Sequence, residues 1–86
     1  MSSKESSYYV YIVECIDKTF YTGIAKELES RIAEHNGSSK GAKYTRGRRP
    51  VHLVLSEIYP DRSSASKREY TIKKMSRREK IALISG

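Results

Sequence analysis

The run Tyr8-Tyr9-Val10-Tyr11-Ile12-Val13-Glu14-Cys15, then Ile16-Asp17-Lys18-Thr19, then Phe20-Tyr21-Thr22-Gly23, decides the fold. It reads as a strand, a turn and a second strand. Aromatic and β-branched residues dominate both runs, and Asp17-Lys18 supplies turn chemistry between them. Side chains alternate along a strand, so Tyr9, Tyr11 and Val13 share one face while Val10 and Ile12 share the other. Tyr11 and Tyr21 then lie on opposite arms of a hairpin, where two phenols could converge. Gly23 marks the exit from the second strand, at a point where backbone can approach another group closely.

Working outward, the pattern turns helical from about Lys26 to Asn36. Leu28 and Ile32 are four apart on one face, His35 falls near that face, and Arg31 lies on its border one turn earlier. Glu29 and Glu34 point elsewhere, and Asn36-Gly37 closes the helix. The stretch from Gly37 to Pro50 is a loop, long for a small domain, with Lys40, Lys43, Arg46, Arg48 and Arg49 around one aromatic, Tyr44. That composition suits phosphate and base contacts. Val51 to Tyr59 is a third strand, stopped by Pro60-Asp61. Asp61 or Ser63 caps a helix running to about Met75, with Ala65, Ile72 and Met75 as its buried stripe. Glu69 borders that stripe, and a carboxylate placed there needs a partner, a metal or water. Ser76-Arg77-Arg78-Glu79 is a capping-box pattern ahead of Ile81-Ala82-Leu83-Ile84, so a short last helix packs back on the domain. Met1–Ser7 reads as a frayed polar tail and residues 8–84 as a single domain.

The 86 residues carry 17 basic and 10 acidic side chains, a net charge of +7, and the excess is regional. Residues 1–36 hold four basic and six acidic groups, whereas Arg62 to Lys80 holds eight basic and two acidic. Lys73, Lys74, Arg77 and Arg78 therefore form a second basic surface. Charge gathered into patches favours a polyanion partner, nucleic acid above all. A single cysteine, Cys15, excludes an internal disulfide and a Cys-pair zinc site, and reads as a small buried hydrophobe. With no signal-peptide pattern behind Met1 and no apolar run of membrane length, a cytoplasmic protein without membrane association is expected. His35 and His52 belong to different elements, and there is no Gly-rich nucleotide fingerprint or serine-elbow pattern. What remains is Tyr11, Tyr21, Arg31, His35 and Glu69 in a positively charged frame.

These residues are spaced as in the GIY-YIG nuclease family, which the sequence resembles over about residues 8–75. The two tripeptides of that family are matched by Tyr9-Val10-Tyr11 and Tyr21-Thr22-Gly23. Arg31 and His35 follow in Arg31-Ile32-Ala33-Glu34-His35-Asn36, then Lys43-Tyr44-Thr45-Arg46 with Arg48-Arg49-Pro50, then Glu69 between Ala65 and Tyr70. The chain looks most like short, stand-alone bacterial members, and also resembles the nuclease domain of the eukaryotic enzyme that cuts branched DNA.

The resemblance implies an α+β fold, a small three-stranded antiparallel β-sheet flanked by α-helices. It implies a metal-dependent endonuclease that hydrolyses DNA phosphodiester bonds, in single-stranded, branched or damaged DNA, in repair or recombination. One divalent ion, Mg2+ or Mn2+, would take Glu69 as its protein ligand. Arg31 would neutralise charge on the phosphoryl oxygens. Tyr11, supported by Tyr21, would position or deprotonate water, with its pKa lowered by Arg31 and the metal. His35 would relay the proton or hold Tyr11. Two departures stand out. Tyr9 and Val10 replace the Gly and Ile of the family name, and Asn36 is the last Asn, where several members carry a later one near the site. An appended DNA-binding domain is not expected, so targeting is expected to fall to the basic loop and last helix or to a protein partner. The alternative reading is a catalytically weak or inactive nucleic-acid-binding module of the same fold.

Overall fold

Strand β1 (Tyr8–Glu14) turns through residues 15–19 into strand β2 (Phe20–Ala25). The turn is held from within. Cys15 N–H donates to the Thr19 carbonyl at 2.8 Å, and the Asp17 carboxylate accepts from the Thr19 N–H at 3.1 Å and from its hydroxyl at 2.6 Å. Lys18 takes a φ of 72°, the left-handed region that such tight turns demand. In this computed structural model, residues 7–37, 45 and 47–86 are described. The tail up to residue 6, and the loop residues Lys40, Lys43, Tyr44 and Arg46 read as nucleic-acid contacts, lie outside the described residues.

Helix α1 (Leu28–Gly37) follows β2, then strand β3 (His52–Tyr59), helix α2 (Arg62–Lys73) and helix α3 (Arg77–Ser85). The sheet is antiparallel in the order β2-β1-β3, as expected of the fold class. With β1 central, both of its faces are covered. Val10 and Ile12 pack against Ala65 and Ile72 of α2, joined by Leu83 and Ile84 of α3. Tyr11 and Val13 pack on the other face with Cys15 and Val51, backed by Leu28 and Ile32 of α1. β1 residues 10–13 are at most 1% exposed, which explains an unbroken apolar run where a half-buried strand would alternate. β3 carries a bulge. Leu55 opposes Ile12 and Leu53 opposes Val13, so Val54 is extra, and Val54 and Leu55 both reach the same core.

Local sequence signals set most helix ends. Asp61 caps α2 by accepting from the Ser64 N–H at 2.7 Å. The capping box of α3 forms in both directions, Glu79 N–H to Ser76 Oγ at 3.1 Å and Ser76 N–H to Glu79 Oε1 at 2.9 Å. Several boundaries differ from the sequence reading: β1 ends at Glu14 instead of Cys15, and β3 starts at His52 instead of Val51. Gly23 lies inside β2, which runs on to Ala25, and α1 therefore starts at Leu28 instead of Lys26. α2 ends at Lys73, two residues short of Met75, where the chain turns into the α3 cap. No described helix is long and apolar enough to cross a membrane.

Candidate active site

Tyr11 is the centre of the site. The register places it opposite Gly23, and its ring lies over that glycine, because a Cβ there would stand 2.6 Å from the phenol oxygen. Gly23 is thus required by a close approach within the strand. The Tyr11 hydroxyl sits 2.8 Å from His35 Nε2, and His35 Nδ1 sits 2.9 Å from the Thr45 hydroxyl. All three side chains are buried, His35 and Thr45 completely. Tyr21, opposite Val13, projects to the same face, its ring 6.5 Å from Tyr11 and 5.3 Å from His35. The two phenols share one aromatic cluster with the imidazole.

Arg31 approaches from α1. Its guanidinium lies close enough to the Tyr11 phenol for its charge to act on it, and Nη1 donates to Glu34 Oε1 at 2.9 Å. Glu34, read as pointing away, instead turns back to hold this guanidinium. Burial works against the Arg31 charge, but the Glu34 and Tyr11 contacts more than offset it and leave its pKa raised. Glu69 comes from α2. Its charge reaches the Tyr11 phenol, and its carboxylate pairs with Lys73 at 3.2 Å, one turn on.

Burial pushes the Tyr11 phenol up to about 12, the opposite of the lowering expected from Arg31. Arg31 does pull the pKa down, but desolvation outweighs it, and Tyr21 and Glu69 add to the rise. His35 is held below its ordinary value by burial and by Arg31 and Arg49, with Glu34 pulling the other way. Near neutral pH the site therefore holds a protonated phenol against a neutral imidazole. This pair can pass a proton inward.

Five residues singled out in the sequence thus come to one neighbourhood, although Glu69 is joined to it by its field and not by a direct bond. Among the described residues no three His, Cys, Asp or Glu side chains cluster as metal ligands. A cleft of about 420 Å³ opens at the start of α1, lined by Tyr9 and Lys26 through Ser30, and contains none of the five. Of the expected nucleic-acid residues, Arg48 pairs with Asp17 at 3.0 Å, and Arg49 Nε donates to the His35 carbonyl at 2.6 Å. Arg77 donates to the Lys18 carbonyl at 2.6 Å and stacks 4.9 Å over Phe20, and Lys74 sits 4.9 Å over Tyr70. Lys73, Lys74, Arg77 and Arg78 are all exposed around the α2–α3 junction. Thr45 was not singled out in the sequence, since one threonine in a stretch read as a basic loop carries no pattern; in the structure Thr45 is helical.

A family model described as the GIY-YIG catalytic domain matches residues 7–82. The UPF0213 protein of Desulfotalea psychrophila is 56% identical over 80 residues, covering 93% of this chain and 73% of its own. That of Staphylococcus saprophyticus is 54% identical over 78 residues, covering 91% of this chain and 94% of its own. Two solution NMR structures are similar. The UPF0213 protein from Bacillus halodurans has a TM-score of 0.60 at 47% identity, covering 92% of this chain and 83% of its own. A protein from E. faecalis has a TM-score of 0.65 at 41% identity, covering 93% and 84%.

Proposed function

Because this chain belongs to the GIY-YIG catalytic domain family, we propose that it is a metal-dependent endonuclease that hydrolyses DNA phosphodiester bonds. The observation that carries this reading is the Tyr11 phenol, held over Gly23 between the Arg31 guanidinium and His35 Nε2.

With its pKa near 12 the phenol is protonated at neutral pH, so it acts as a relay. It takes a proton from the attacking water as it gives its own to His35 Nε2, and the imidazole becomes the imidazolium. The hydroxide so formed attacks phosphorus, the P–O3′ bond breaks, and the 3′ oxyanion takes a proton from solvent. Arg31 donates to the non-bridging oxygens as their charge grows. Tyr21, in the same aromatic cluster, orients the water and keeps the relay packed. A small hard cation keeps most of its waters and needs few protein carboxylates, so the single carboxylate of Glu69 fits Mg2+ or Mn2+ better than a zinc-like cage. Bound there, with phosphate oxygens and water, the ion would supply Lewis-acid stabilisation of the leaving oxygen. To hold it, Glu69 would give up its pairing with Lys73. Lys74, Arg78 and the basic loop hold the DNA backbone, with single-stranded, branched or damaged DNA as substrate in repair or recombination.

The competing reading is a nucleic-acid-binding module that keeps the fold without the reaction. It draws on the Lys73 ammonium already paired with Glu69 and on the absence of any Asn after Asn36. Labelled single-stranded, duplex and branched DNA, incubated with the protein and Mg2+ or Mn2+, separates the two. The endonuclease reading expects cleavage that Glu69→Ala and Arg31→Ala abolish. Binding without cleavage above the Glu69→Ala level on all three substrates would overturn it.

A further inference from the structure

The proposed relay ends on a residue with no assigned part in it. Thr45 is completely buried, and its hydroxyl faces His35 Nδ1 at 2.9 Å. A buried hydroxyl is costly unless bonded, so a threonine here in place of valine calls for a reason.

The Arg31 cation acts on the Tyr11 phenol, so the phenol turns its lone pairs, and not its proton, towards the guanidinium. The phenol's single proton then needs another acceptor, and His35 Nε2 stands 2.8 Å away. A neutral imidazole offers one acceptor and one donor. If Nε2 accepts from Tyr11, Nδ1 carries the hydrogen and donates to Thr45 Oγ1. In the opposite tautomer Nε2–H would point at the phenol oxygen, and the phenol proton would be turned away from the base bonded to it in the proposed relay.

Thr45 is itself fixed to the strand pair that carries Tyr11. Its carbonyl accepts from the Arg48 N–H at 3.0 Å, the Arg48 carbonyl accepts from the Ile16 N–H at 3.0 Å, and Arg48 Nε reaches Asp17 at 3.0 Å. Arg49 Nε holds the His35 carbonyl at 2.6 Å. Both ends of the chain Tyr11–His35–Thr45 are therefore referenced to the β1–β2 hairpin.

Resting on the proposed function, we infer that Thr45 is a positioning residue, whose hydroxyl fixes His35 as the Nδ1–H tautomer and keeps Nε2 open to the Tyr11 proton. As Nε2 takes that proton, Thr45 continues to accept from Nδ1–H, so the imidazolium forms without a change of partner.

Long-range 1H–15N correlation NMR of labelled protein near neutral pH reads the tautomer directly. The expected result is Nδ1–H in the wild type and in Thr45→Ser, with a shift towards Nε2–H in Thr45→Val. Thr45→Ala serves if the valine variant does not fold. Cleavage should fall about 10- to 100-fold in Thr45→Val and return to within a few-fold of wild type in Thr45→Ser. Nε2–H in the wild type, or an unchanged tautomer in a folded variant lacking the hydroxyl, would overturn the inference. Should the tautomers behave as expected while no form of the protein cuts DNA, the inferred positioning stands and the endonuclease reading fails.

Discussion

A single methyl group at position 23 would meet the Tyr11 phenol oxygen at 2.6 Å and its ring carbon Cζ at 2.8 Å. The phenol is buried between His35 and Arg31, so it cannot swing aside cheaply. Gly23→Ala is expected to cost about 1–3 kcal/mol in urea unfolding, as overpacking does, and to reduce cleavage by more than that stability loss explains. His35 provides a second test. Its folded pKa lies below 6.5 because of burial and the charges of Arg31 and Arg49, against the pull of Glu34. Between the folded value and 6.5 the unfolded chain binds a proton that the folded chain does not. Stability is therefore full above that range and falls as pH drops through it, by at most about 1.4 kcal/mol per pH unit. Urea midpoints measured from neutral to mildly acidic pH should show this slope in the wild type and lose it in His35→Gln. At this scale the sequence was legible where spacing and residue chemistry agreed, as for Tyr11, Tyr21, Arg31 and His35. Thr45 and Glu34 were not legible, because their value lies in a partner 10 residues away and in a rotamer.

At the scale of elements, one side chain of α1, Asn36, pins the residue that leads into β3. Asn36 Nδ2 donates to the Val51 carbonyl at 2.8 Å, and its Oδ1 accepts from the Val51 N–H at 2.6 Å. Asn36 acts as a substitute backbone for β3, one residue after His35. Asn36→Ala is expected to destabilise the fold by about 1–3 kcal/mol in thermal or urea unfolding, since it strands a backbone N–H at the buried Val51. Sequence patterns placed each described strand and helix. The caps at Asp61 and Ser76 were legible because their signals are local. The start of α1 was not. Its first helical bond runs from the Arg31 N–H to the Glu27 carbonyl, and Glu27 is not a preferred capping residue, so nothing in the sequence marked the boundary. The bulge at Val54 was equally hidden, because a strand's register depends on its neighbour and not on its own pattern.

Across the whole molecule, the charge of +7 divides unevenly, and the α2–α3 junction exposes Lys73, Lys74, Arg77 and Arg78 together. If this face tracks a DNA backbone, affinity should fall steeply with salt. Arg78→Gln should weaken binding to all sequences alike and lower the log–log salt slope by about 1. Fluorescence anisotropy across a salt series measures both. Whether the buried relay at Tyr11 carries out the proposed phosphodiester hydrolysis is read from single-turnover cleavage of labelled branched DNA with Mn2+, wild type against Tyr11→Phe. The phenylalanine keeps the ring over Gly23 and removes only the hydroxyl bonded to His35 Nε2. Tyr11→Phe is expected to lose about 100-fold or more in cleavage rate with DNA binding unchanged. Equal cleavage rates for the two proteins would contradict it.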